Sequence, residues 1–127
     1  MAKHYRIVRN GIHWRVESPA DKPLAGEDVT WEFDTESAGM TAFLQFPSGV
    51  FKVGKDEDPT RGNAKKLSKH HAAKIDHEHP QLCLTVSDNA PAGTTYQYAV
   101  FVVDGGKGGG SGYAIGHNPP PEINVGP

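Results

Sequence analysis

Apolar and polar residues alternate with a period of two along most of this chain. Ile12, Trp14 and Val16 interleave with His13, Arg15 and Glu17, and Val29, Trp31 and Phe33 interleave with Thr30, Glu32 and Asp34. Leu82, Leu84 and Val86 repeat the pattern, and Tyr96, Tyr98, Val100 and Val102 carry it through residues 94–103. A period of two sends alternate side chains to opposite faces of an extended strand, so each run predicts a strand with one face in a core. Trp14, Trp31, Phe33, Leu84, Tyr98 and Val100 are the expected centre of that core. Ala99, Phe101 and Val103 are apolar on the other face of their strand, which predicts cover on both sides of its second half.

Glycine and proline punctuate these runs. Asn10-Gly11 lies between strands expected at 4–9 and 12–17 and supplies the positive-φ residues of a tight hairpin. Ser18-Pro19 and the 23–28 segment are turns, and 35–39 is a loop. A strand at 40–46 ends at Pro47-Ser48-Gly49, and a short apolar run follows at 50–53. Residues 104–112 hold six glycines, and short strands at 113–115 and 123–125 flank Pro119-Pro120-Pro121. About seven to nine short strands with such turns imply an all-β fold, a Greek-key β-sandwich of cupredoxin-like or immunoglobulin-like type. One non-β element is expected, a short helix over 63–74, with Asn63 as N-cap and Ala72 and Ala73 favouring it. Its apolar stripe is thin, with Leu67 and, just past it, Ile75 as the large residues.

A chain of 127 residues is the size of one domain, here 1–127. The formal net charge of −2 and a pI of about 6.4 give no electrostatic footprint for nucleic acid. No apolar run approaches the ~20 residues of a membrane helix, and the first residues lack the apolar core of a secretory leader. The expected compartment is the cytoplasm, with a leader removed from the protein as the alternative. Cys83 is the one cysteine, so no intramolecular disulfide can form.

Two segments carry a likeness. Ala25-Gly26-Glu27-Asp28-Val29-Thr30-Trp31 resembles the cupredoxin turn that enters its tryptophan strand. Ala92-Gly93-Thr94-Thr95-Tyr96-Gln97-Tyr98, with Ile123-Asn124-Val125 at the end, resembles the strand before the cupredoxin metal loop and the strand that closes the sheet. The residues that carry it are 17 of the chain's 127, and immunoglobulin-like sandwiches use similar strands. The resemblance implies copper ligands in the loop after the tryptophan strand and around the last loop: histidines, a cysteine and usually a methionine. None carries over. Residues 35–39 have no histidine, Val100–Val103 has no cysteine, 104–112 has no ligand, and His117 comes later beside prolines. The resemblance therefore implies a relative without copper, and no cofactor is expected.

The remaining chemistry is sparse. His77 and His79 would share one face of an extended segment, and with Cys83 or His117 they are the candidate zinc or copper ligands. The spacing matches no established zinc pattern, and a solvated basic loop is the competing reading. Cys83 alternates with Leu82 and Leu84, as an inert packing residue would. The glycine loop fits neither phosphate-loop spacing. Asp56-Glu57-Asp58 lacks the alternation of a calcium loop. Lys65, Lys66, Lys69, His70, His71 and Lys74 form a local positive cluster on a slightly acidic chain, suited to an acidic patch on a partner protein. The expectation is thus a non-enzymatic binding or interaction module that meets an unknown protein partner or itself, with neither nucleic acid nor membrane as partner. The alternatives are a metal-binding or redox protein using His77 and His79, and a homo-oligomeric structural domain.

Overall fold

The computed structural model describes residues 3–11, 13–35, 39–54, 66–103, 111–116 and 120–127. Among these residues the fold is all-β, with ten strands and no helix. They are β1 (Lys3–Asn10), β2 (His13–Glu17), β3 (Asp28–Phe33), β4 (Thr41–Gln45), β5 (Ala72–Ile75), β6 (Gln81–Thr85), β7 (Thr95–Gln97), β8 (Ala99–Val103), β9 (Gly112–Ile115) and β10 (Glu122–Asn124). Eight of them form one mixed sheet in the order β5-β4-β8-β9-β2-β1-β3-β6, and β7 pairs with β10. β1 runs parallel to β3 and β2 parallel to β9; the other pairs are antiparallel. The sheet's two edges, β5 and β6, are consecutive in the chain, so the sheet nearly closes into a flattened barrel. Its halves, β6-β3-β1-β2 and β9-β8-β4-β5, enclose one core.

The alternation found in the sequence sets the inward faces. Tyr5 and Ile7, Trp14 and Val16, Val29 and Trp31, Leu82 and Leu84, and Val100 and Val102 are all buried. Phe33, at the end of β3, is only half-buried and meets the edge of Trp14 at 6.3 Å between ring centres. Trp31 is the centre. It stacks on Tyr5 at 4.9 Å and meets Phe46, Phe51 and Tyr98 at 5.2, 5.4 and 6.0 Å. Its indole Nε1–H donates to the Tyr98 hydroxyl at 3.1 Å. Burial drives the Tyr98 hydroxyl's pKa far above the ordinary phenol value, with Trp31's hydrogen bond working weakly in the other direction. The hydroxyl therefore stays neutral.

Three expectations need correction. The first hairpin pairs Asn10 with His13, so Asn10 belongs to β1 rather than to the turn; Ile12, expected to open the second strand, lies outside the described residues. Gly11, at φ 66°, takes the first loop position, where left-handed backbone is required. The single strand expected at 94–103 is two strands. Tyr98 N donates to the carbonyl of Pro121 at 3.0 Å, and there the chain leaves β10 to join β4 and β9. The helix expected over 63–74 is absent wherever that stretch is described, from residue 66 on; residues 63–65 lie outside the described residues. Leu67 bridges to Val53, His71 has a left-handed φ of 59°, and Ala72–Ile75 is strand β5 against β4. Leu67 and Ile75 are both fully buried. Burying both, with a strand partner for β5, overrides the helix preference of two alanines.

Trp31→Ala is expected to lower unfolding stability by about 3–5 kcal/mol in urea titrations; a loss under ~1 kcal/mol would contradict its central place. Tyr98→Phe keeps the ring but strands a buried indole N–H. It should cost about 1–3 kcal/mol in the same experiment.

Candidate binding face

Among the described residues, those that β4, β8 and β9 do not send inward form a largely apolar outer surface. On β4, Ala42 and Leu44 are buried while Phe43 is 48% exposed. On β9, Ala114 is buried while Tyr113 is 69% and Ile115 44% exposed. Strand register aligns these residues. Lys74 on β5 faces Phe43 on β4, Phe43 faces Phe101 on β8, and Phe101 faces Tyr113 on β9. The result is one row of side chains crossing four strands, in which Phe101 and Tyr113 touch edge-to-face at 4.9 Å. Beside it, Ile115 pairs with Arg15 on β2, and Gln45 pairs with Ala99. Among the described residues the cover expected over Ala99, Phe101 and Val103 is not found: all three are only partly buried, and Phe43 beside Phe101 is 48% exposed. Their apolar character belongs to an outer face.

The outer face of the other layer is mainly polar, and several of its side chains pair with one another. Glu32 accepts hydrogen bonds from His4 Nδ1 at 3.0 Å and Gln81 Nε2 at 2.7 Å. Thr85 donates to Asp28 at 2.7 Å, and Lys3 pairs with Glu27 at 3.8 Å. A polar cleft of about 350 Å³ beside β1 is lined by Lys3, His4, Arg6, Glu17 and Asp21 among others. Charges of both signs meet there, and Lys3 and His4 are already engaged.

Part of the predicted positive cluster borders the aromatic row. Lys74 stands in it, with Nζ 3.5 Å from Asp76 Oδ2. Lys69 and His70 are exposed in the turn before β5. Gln45 on the outer face of β4 ties that turn down, its Nε2 donating to the His70 carbonyl at 3.0 Å. His71 is half-buried, and its carbonyl accepts from Phe46 N at 2.8 Å. Lys66 is exposed and lies against Gly54. Lys65 lies outside the described residues.

The structure does not bring the candidate metal ligands together. His117 is outside the described residues. His77 is exposed, and His79 is half-buried with Nδ1 3.6 Å from Asp76 Oδ1. The segment is a turn rather than extended: Asp76 Oδ1 accepts from the backbone N–H of Glu78 and His79 at 3.0 and 2.8 Å. Cys83 stands on β6 opposite Thr30. Among the described residues no three of His, Cys, Asp and Glu are placed to hold one metal ion. No described helix is long and apolar enough to cross a membrane. The sequence reading missed Phe43, Phe101, Tyr113 and Ile115. The available signal was an aromatic residue at an outward position in each of three runs.

No protein-family model, curated protein or solved structure matches this chain.

Asp76 allows a pH test of the turn that joins the two sheet edges. The His79 backbone N–H, foremost, and the charge of Lys74 hold its carboxyl below the ordinary carboxylate pKa. A lowered native pKa means that this stabilisation is complete above the unfolded-state value and fades as pH falls through the native one. Asp76→Ala should therefore lower Tm at neutral pH, and the gap from wild type should narrow in acid below about pH 4. Thermal melts across that range measure it, and a gap that stays constant would contradict the assignment.

Proposed function

We propose that this protein is a non-enzymatic binding module, a copper-free scaffold of cupredoxin-like type, that engages a partner through the open face of the β5-β4-β8-β9 layer. The carrying observation is the row Phe43–Phe101–Tyr113, with Ile115 beside it, exposed or partly exposed on a domain whose buried apolar residues form one core and whose other described face is mainly polar. An isolated exposed apolar residue needs no explanation, but a contiguous aromatic patch on a folded domain marks an interaction surface. The all-β two-layer architecture supports the scaffold reading, as does the placement of Ile123 in the closing strand β10. The basic turn at Lys69 and His70 places charge at the rim of the patch, where it can steer a partner without adding to the core.

Phe43→Ser combined with Tyr113→Ser tests the reading. Both side chains face outward, so the pair should cost about 1 kcal/mol or less, chiefly the edge contact with Phe101. Affinity capture from the native cell should lose the wild-type partner set while Tm stays near wild type. Capture of the same partners at the same yield would contradict the proposed face, and a turnover lost on changing one polar residue would contradict the non-enzymatic reading.

A further inference from the structure

The occupant of this face can be specified by its chemistry, given the reading above that the face binds a partner. We infer that it is an extended acidic segment of another protein, with apolar residues at alternate positions and carboxylates beside them, laid across the strands over Phe43, Phe101 and Tyr113.

Size is the first argument. Taking about 200 Å² for a whole aromatic side chain, the exposed parts of Phe43, Phe101, Tyr113 and Ile115 add up to roughly 300–400 Å². A stable pair of globular proteins, a second copy of this chain included, buries about 800 Å² per partner. The patch is half of that and fits a segment. From Lys74 on β5 to Tyr113 on β9 is three strand spacings, about 14 Å. An extended chain covers that in four or five residues, with alternate side chains on one side. Two or three apolar residues of such a segment would lie on the row.

Charge is the second argument. The cations stand beside the apolar residues, and their carboxylates stand farther off. Lys74 shares the row with Phe43, and its partner Asp76 is two residues on, held by the Glu78 and His79 N–H groups. Arg15 is opposite Ile115, and its partner Glu17 is two residues on, 2.8 Å from Nη2. Lys69, in the turn held by Gln45, has no acidic partner among the described residues. A carboxylate arriving over β5, or on the flank of Ala99 and Ile115, meets Lys74, Lys69 or Arg15, while Asp76 stands on the opposite flank beside Thr41 and Val103. A basic segment would meet Lys69, Lys74 and Arg15 as like charges, which disfavours it. The edge-to-face contact of Phe101 with Tyr113 offers no pair of parallel ring faces, so stacked nucleobases fit less well than aliphatic or phenyl groups.

Four labelled probes test this by fluorescence anisotropy, with NMR shift mapping of the full chain: a decapeptide alternating glutamate with valine and phenylalanine, the same peptide with lysine for glutamate, the same with serine for the apolar residues, and a short oligothymidylate. The glutamate–apolar peptide should bind at least about tenfold more tightly than each of the others. Its binding should shift Phe43, Phe101 and Tyr113, fall about tenfold or more in Phe43→Ser, and weaken in Lys69→Glu and as salt rises from about 0.05 to about 0.5 M. Equal or tighter binding of the lysine peptide or the oligonucleotide at these residues would overturn the inference and leave the face as a binding site. Failure of the glutamate peptide to bind, while Phe43→Ser with Tyr113→Ser still abolishes capture from cells, would also overturn it. Failure of both experiments would remove the binding face itself.

Discussion

The Trp31 indole, buried between the two layers, is the contact on which the rest of the structure depends. It stacks on Tyr5 from β1, meets Phe46 just past β4, and meets Phe51 in the bridge to Val86. Its N–H needs an acceptor, because an unpaired buried donor costs the full desolvation penalty. Tyr98 is that acceptor. Tyr98 is therefore fixed at the depth of the core, and the strand that carries it changes partners there, from β10 to β4 and β9. One hydrogen bond and four ring contacts thus tie both layers and the closing ribbon to a single side chain.

The difference between the outer faces follows from that interior. Period-two geometry leaves each strand one outward set once the inward set is committed. On β1, β2, β3 and β6 the outward set includes His4, Arg15, Glu17, Glu32 and Gln81, which pair with one another. On β4, β8 and β9 it includes Phe43, Phe101, Tyr113 and Ile115, none of which is among the fully buried core side chains. An open aromatic row on a sheet is an association hazard unless something uses it. The asymmetry between the two layers is the physical basis of the functional reading.

The strands whose patterns repeat locally were legible in the sequence. The phases of Trp14 and Val16, Val29 and Trp31, Leu82 and Leu84, and Tyr98 through Val102 all follow from alternation alone. β5 was not legible: Ala72 and Ala73 favour a helix, and only pairing with β4, far off in sequence, makes them a strand. Phe33 reads as core from its phase, but its place at the end of β3 leaves it half-buried. The candidate face was hidden for a related reason. Phe43, Phe101 and Tyr113 are distant in the chain, and only the register of β4, β8 and β9 sets them side by side. The basic cluster could be read as a local run of residues. Its adjacency to Phe43, through Lys74 and the Gln45–His70 hydrogen bond, could not.

Carbene footprinting of the protein, purified and then within its native cell lysate, tests the central claim most directly. The account predicts strong labelling of Phe43, Phe101 and Tyr113 in the purified protein and protection of those three in the lysate. The Glu32 and Gln81 face should be labelled equally in both. Equal labelling of the aromatic row in the two samples, or protection confined to the polar layer, would contradict it.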